Sequence, residues 1–511
     1  MRAITIAYML LAIAVTPSNA QTLTIAFNQD IRSSDPGVNR DGNTDAVILH
    51  VVEGLFAYGA DGEIGPLLAK SVQASSDGKT YEFTLRQGVK FHNGEEMTSA
   101  DVLWSWNRYM DPHTGWRCKA FFDGHDGTKV VSATAPSPDK FVMTLAEPAA
   151  SFLGTLALPD CGETAVISRA SLKSNGDWDK PIGTGPFKFG DWKRGQSVTL
   201  TAFADYVSPP GESWNGYLGL KKPLVPTLRF LAVPDGATVA AGLRSGEIDV
   251  ASVPEALVEE LRGDPNLMVE IGTEPVRHGF ILQTRNPLLK NVKLRQALAA
   301  AIDYKSLVEE ITNGLGHANN SPVYQTSRYY GPVEKQGFAY DPAQARRLLQ
   351  EAGYKGEPLV ILTNKRDSMP NYSAAVFAQQ MWQAVGLNVQ INVLDWATQL
   401  DRYNTGNYMI ETFSYSSRFD PALGLEQIVG PKDTQPRKVW ENPRAIALTT
   451  KAMQTTDPRA RQEIFDAAHK LILEDVPMIF THNAVSAVAH NKRVVGVRPW
   501  ASPTFWGVGK P

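Results

Sequence analysis

The sequence predicts an α/β protein of two or three lobes, and three observations lead there. The chain has 511 residues, and single cores stop growing beyond ~250–300 residues. Short strand-like runs alternate with helical ones throughout, which favours mixed α/β lobes. LVILT, a helix over Ala374 to Val385 and NVQINVL make a β-α-β unit, with a right-handed crossover if the strands are parallel neighbours. A composition of 43% hydrophobic and 20% charged residues is that of a globular chain, and no internal repeat stands out.

Taken in order, Arg2, the apolar run Ile4 to Val15 and the small residues Ser18 and Ala20 read as a cleavable leader over 1–20. The run falls short of the roughly 20 residues that span a bilayer. No Cys stands at the junction, so a lipid anchor is not expected. TLTIAF (22–27) reads as a strand, and Asp45 to Phe56 as a helix with Val47, Ile48, Val51, Val52 and Leu55 inward. Tyr81, Phe83 and Leu85 alternate with Glu82, Thr84 and Arg86, which is a half-buried strand. Turns at Gln87-Gly88 and Asn93-Gly94 lead to a helix start at Thr98-Ser99-Ala100-Asp101. Cys118 and Cys161 are the two cysteines. In an oxidising compartment they read first as one disulfide, with free thiols or a Cys nucleophile as alternatives. The bond would close a loop of about 40 residues, worth about 3–4 kcal/mol.

Further on, Pro181 to Phe187 is a cluster of turn residues before KFGDW, and Leu243 to Asp249 is a helix end turning into a strand. A boundary is expected near Gly272 to Gly279. Helices are expected over Leu294 to Ile302, over Pro342 to Ala352 between an Asp341 cap and Gly353, and over Ile464 to Leu473. The tail carries Trp500, Phe505 and Trp506.

Several of these blocks resemble a known family when read as strings. They are YEFTLRQGVKFHNGEEMTSAD (81–101), IGTGPFKF (182–189), LRSGEID (243–249), NVKLRQALAAAID (291–303), YDPAQARRLLQEAGY (340–354), FAQQMWQAVGLNV (377–389) and Phe419-Asp420-Pro421. Together, and in this order, they are similar to the family 5 extracellular solute-binding proteins, the peptide and nickel receptors of ABC importers. The resemblance implies a two-lobed periplasmic-binding-protein fold with a hinge and an extra subdomain in the first lobe. It divides the chain into a first-lobe core (21–58, 181–272 and 484–511), a subdomain (59–180) and a second lobe (273–483). It implies a monomer that works outside the cytoplasm with inner-membrane permease subunits, on a small-molecule or peptide ligand.

Other classes find little support. A net charge of -3 gives no electrostatic reason to expect nucleic acid or an anionic membrane as partner. No G-x-S-x-G, P-loop or H-E-x-x-H is present. The Gly183-Thr-Gly185 pair precedes Pro186, which lacks an amide donor, so it reads as a turn rather than a phosphate loop. The nine histidines show no ligand spacing, so no metal or cofactor is expected. A Ser within reach of a His in the cleft would favour an enzyme.

A cleft receptor needs aromatic walls and a few charged groups. Three places offer both. Trp116-Arg117 in the Cys-stapled segment would face the cleft by analogy with nickel receptors, or else form a surface Arg beside core aromatics. Lys365-Arg366 follows LVILT, where α/β ligands often bind. Dipeptide receptors of this family carry near here an Arg that pairs with the ligand carboxylate, and Arg366 suits that better than Lys365; a solvated basic turn is the alternative. Phe413 to Pro421 follows YMIET; there the resemblance points to Tyr415 and Phe419 as walls, with Ser416, Ser417 and Arg418 beside them and Trp396 as a further wall. Where dipeptide receptors hold the ligand ammonium with an Asp, this chain has Ser417, and Arg418 adds positive charge. An unpartnered buried ammonium is costly, so an anionic or hydroxyl-rich solute is favoured. Asp420 reads as a turn or helix cap. The expected function is capture of a peptide or peptide-like solute for import, with an opine or sugar-phosphate conjugate as the alternative ligand.

Overall fold

The structure is a computed structural model that describes residues 22–125, 128–366, 369–500 and 503–511. The expected leader, 1–20, lies outside these residues. Two α/β lobes share one ten-stranded sheet. On one side of its centre stand Val250–Ser252, Thr22–Phe27, Thr227–Ala232, Ser197–Ala202 and Phe187–Lys193; on the other stand Ile410–Tyr415, Leu359–Thr363 and Val389–Val393. Between them run two long antiparallel strands, Leu267–Leu282 and Met478–Asn491. Their register shifts between Thr273 and Arg277 and again between His278 and Gly279, and such bulges bend the paired strands.

Each lobe has its own apolar interior. Leu23, Ile25, Val47 and Phe230 belong to that of the first lobe, whereas Phe280, Trp382, Ile410 and Ile361 fill one side of the second lobe's sheet. A four-stranded antiparallel sheet (Ala69–Ala74, Thr80–Leu85, Lys140–Leu145, Val130–Ser137) adds a subdomain to the first lobe. In Thr80–Leu85 the residues Tyr81, Phe83 and Leu85 are buried while their neighbours are half-buried, each such burial contributing about 1.5–3 kcal/mol. Helix Ser99–Met110 covers that sheet and begins with a capping box, in which Asp101 accepts from the Thr98 amide at 2.9 Å.

The expected helix over Asp45 to Phe56 is shorter. It spans Gly42–Ile48, with Asp41 as its cap accepting from the Thr44 amide. The chain leaves the helix because later carbonyls serve the glycine-rich turn: Val51 O accepts from Gly185 N at 3.0 Å and His50 O from Phe187 N at 3.0 Å. That contact requires glycine, since a Cβ on Gly183 would lie 2.2 Å from Val51 O and one on Gly185 2.6 Å from His50 O. The helix expected from Ala374 starts earlier, at Asn371, and ends at Ala384.

Other blocks have equally local reasons. Asp249 accepts from the Thr24 amide at 3.0 Å and pairs with Lys510 at 2.8 Å, tying the first strand to the tail. Arg295, buried in helix Val292–Ala300, donates to the carbonyls of Leu289 and Asp475 and to the Asp475 carboxylate. Asp341 caps helix Pro342–Ala352, which ends on Gly353 in the left-handed region.

Candidate functional site

Strands Leu359–Thr363 and Ile410–Tyr415 pair in parallel, so their carboxyl ends open on the same edge of the second lobe. The segment after the second of these strands reaches the first lobe. Arg418 Nη1 donates to the Ser417 carbonyl at 2.7 Å and lies 3.5 Å from Asp160 Oδ2. Asp160 Oδ1 is 3.5 Å from Arg40 Nη2, and Arg40 also pairs with Asp45. Arg40, Asp160 and Arg418 form a bridge between the lobes, with side-chain exposures of 15%, 18% and 10%.

The sequence brings these groups together locally. Cys118 and Cys161 are bonded, and each follows a charged residue, Arg117 and Asp160. The loop bearing Arg40 packs on the same staple: Arg117 N donates to Gly37 O at 3.1 Å. Gly37 has a φ of +70°, and a Cβ there would lie 2.6 Å from Trp116 Nε1. Arg117 itself is exposed and forms no ion pair among the described residues. Burial lowers the Arg40 pKa; the charges of Arg117 and Arg418 push it the same way, and Asp160 and Asp41 oppose them. Arg40 Nε has no acceptor among the described residues.

Behind Arg418, Arg277 on the long strand is buried, donates to Gly424 O at 3.1 Å and contacts Gln427. It has no carboxylate partner among the described residues. Burial, reinforced by Arg418, pushes its pKa down to about 10.

Arg366 and Trp396 form a second unit at the end of Leu359–Thr363. The guanidinium lies 4.0 Å over the Trp396 ring, and Nε donates to Asn364 Oδ1 at 3.2 Å. Such stacking on a flat aromatic face holds the fork in one orientation. Lys365 is exposed and lies 4.2 Å over the Tyr372 ring.

The aromatic residues proposed as walls sit differently. Trp116 is 4% exposed, stacked on Phe122 at 5.6 Å, with Nε1 donating to the Cys161 carbonyl at 3.1 Å. It packs beneath Arg117 in the subdomain core. Tyr415 is buried against Phe413 at 4.9 Å and under Arg277. Phe419 stacks on Tyr58 at 5.0 Å and on Trp500 at 5.2 Å, joining the second lobe to the first. Ser416 is exposed and Ser417 half-buried. Asp420 caps helix Pro421–Ile428, accepting from Ala422 N at 2.9 Å, and pairs with Arg461.

Sequence reasoning missed Arg40, Asp160 and Arg277. The signal for Asp160 was present, because a disulfide drawn between positions 118 and 161 sets Asp160 beside Arg117. Arg40 and Arg277 had no such mark.

A Ser–His contact also exists: Ser414 Oγ is 2.7 Å from His278 Nδ1. His278 lies on the hinge strand, stacked on His482 at 4.6 Å, and burial pushes its pKa down to about 4. Ser414 has a second acceptor in Asn371 Oδ1 at 3.2 Å. No carboxylate contacts His278 among the described residues, so the arrangement differs from a Ser–His–carboxylate triad. A cavity of about 250 Å³ lined by Gln283, Arg285, Tyr408 and Lys432 lies before Ile410, at the opposite end of the strand that leads to Arg418.

Two lobes joined by paired crossing strands, with a charged bridge and cationic groups where they meet, define a solute receptor of the periplasmic-binding-protein class. Residues 63–435 match the family described as bacterial extracellular solute-binding proteins, family 5 (middle), and the chain belongs to that family. It is similar to the glutathione-binding protein GsiB of Pectobacterium atrosepticum, 27% identical over 93% of this chain and 91% of that protein. The structure resembles HbpA2 from Haemophilus parasuis, with a TM-score of 0.83, 25% identity and coverage of 96% of this chain and 100% of that one. It also resembles AgaA from A. tumefaciens R10 in complex with agropinic acid, with a TM-score of 0.71, 26% identity and coverage of 93% and 94%.

Proposed function

We propose that this protein is the solute-binding component of an ABC importer, exported by a cleaved leader and acting as a monomer in the periplasm. It captures a small peptide or peptide-like solute carrying at least one carboxylate between its lobes and presents it to inner-membrane permease subunits. The observation that carries this reading is the meeting of Arg418 with Asp160 and Arg40 across the lobes, beside Arg117, which has no ion pair among the described residues. Capture is a population shift: contacts from both lobes favour the closed arrangement. Arg418 and Arg117 take a solute carboxylate, and Arg366, held flat on Trp396, takes a second. Lys365, Ser416 and Ser417 line the approach, whereas Trp116, Tyr415 and Phe419 support the charged groups from behind. The likeness to a glutathione-binding protein fits a short peptide with more than one carboxylate. An opine-type conjugate is the second reading, favoured by the excess of guanidinium groups and by the likeness to a receptor in complex with agropinic acid.

The test is native mass spectrometry of the mature protein, followed by titration calorimetry with glutathione, tripeptides and opines. A charge-assisted hydrogen bond is worth about 1.5–3 kcal/mol, so R418Q should weaken binding about 10- to 100-fold. Wild-type affinity for a cationic peptide without a free carboxylate, unchanged in R418Q, would overturn the reading.

A further inference from the structure

Asp160 contacts Arg418 from the opposite lobe, 258 residues away in sequence. No other carboxylate contacts Arg418 among the described residues. Both of its contacts, to Arg418 and to Arg40, are 3.5 Å, longer than the 2.5 Å of the committed pairs Arg108–Asp35 and Arg295–Asp475. Arg40 has its own partner in Asp45. The Asp160 backbone is tied to the first lobe, since Pro159 precedes it, the bonded Cys161 follows it, and Gly162 and Glu163 are in left-handed conformations, with φ of 63° and 55°. Any opening of the lobes therefore breaks this contact.

We infer that Asp160 is a specificity-determining residue of the solute site. It is a built-in carboxylate that occupies Arg418 across the lobes and competes with the solute's own carboxylate for that guanidinium. This rests on the reading of the protein as a two-lobed receptor for an anionic solute. The competitor has two effects. It gives the unliganded protein a reason to close, since the bridge exists only when the lobes meet. It also sets a threshold for entry, since an anion must offer Arg418 a better contact than a 3.5 Å pair, as a bidentate carboxylate does. Negative charge beside the incoming anion further disfavours solutes whose charge is not matched to the guanidinium.

The test compares wild type, D160N and R418Q, each with the disulfide intact, using glutathione and trialanine as probes. Removing a partly exposed competing charge should tighten glutathione binding to D160N by about 3- to 10-fold. R418Q should bind it less well than wild type. Small-angle scattering of the unliganded proteins supplies a second readout: both variants lose the bridge, so both should show a larger radius of gyration than wild type. Weaker binding by D160N would make Asp160 the acceptor of a solute ammonium and overturn the inference, as would an unchanged radius of gyration. If wild type binds neither probe, the peptide reading fails on its own account, and the scattering comparison still decides the bridge.

Discussion

Glu163 shows how an ordinary-looking residue acquires an unusual state. It is 1% exposed, its Oε1 has no hydrogen-bond partner among the described residues, and it lines an apolar pocket with Leu55, Val102 and Trp106. Burial pushes its carboxyl from 4.5 up to about 8; Lys221 opposes the shift and Glu53 adds to it. Over that interval the folded chain holds a proton that the unfolded chain has released. The contribution of Glu163 to stability is therefore whole below pH 4.5 and is lost as pH rises through about 8. E163Q, neutral at every pH, should melt higher than wild type at pH 8, with the gap closing toward pH 4.5 in a series of thermal scans. Local sequence did not disclose this, because Glu163 is buried by Leu55, Val102 and Trp106, all distant from it in the chain. The aromatic residues were misleading for a related reason. A cleft wall and a core both call for large apolar rings, so composition could not tell Trp116 or Tyr415 in the interior from a ring facing a solute.

At the level of elements, the strand, turn and helix blocks were largely legible, since each rests on local chemistry. The alternation of Tyr81, Phe83 and Leu85, the Thr98–Asp101 box and the Asp341 cap all sit where period and capping rules put them. The short helix Gly42–Ile48 was not legible, because what ends it is a pairing with residues 185 and 187. That pairing gives a prediction: G183A forces a Cβ to within 2.2 Å of Val51 O, and overpacking of this kind costs about 1–3 kcal/mol, readable by urea unfolding. The staple gives another. Replacing Cys118 and Cys161 by Ser removes a closure spanning 43 residues and should cost about 3–4 kcal/mol. Solute affinity should fall as well, since Arg117 and Asp160 lose their shared anchor; calorimetry on the folded double variant separates the two effects.

For the whole molecule, the arrangement of two lobes followed from the ordered blocks, but the charged bridge between them did not. Arg418 and Arg366 could be singled out because each follows a strand whose end opens on the lobe edge. Asp160 depends on a disulfide and on a lobe contact that no local pattern records. A site made mainly of guanidinium groups predicts that affinity for an anionic solute falls as salt rises, more steeply than the protein's own stability does. Titrations at increasing ionic strength check this, and a flat response would mean that apolar contacts hold the solute.

One feature of the fold bears on how the protein is made. The first strand, Thr22–Phe27, is flanked by Thr227–Ala232 and Val250–Ser252. Its lobe is completed only by the tail, where Phe505 N donates to His50 Nε2 and Lys510 pairs with Asp249. The second lobe draws its helices and three of its strands from an unbroken stretch between Val292 and Asp475. It still lacks Met478–Asn491, whose Met478, Ile479 and Phe480 enter its interior, so the same C-terminal stretch completes both lobes. A chain cut short before Met478 would leave both lobes unfinished at once, so one terminal segment couples the folding of two units that are otherwise built from separate stretches of sequence.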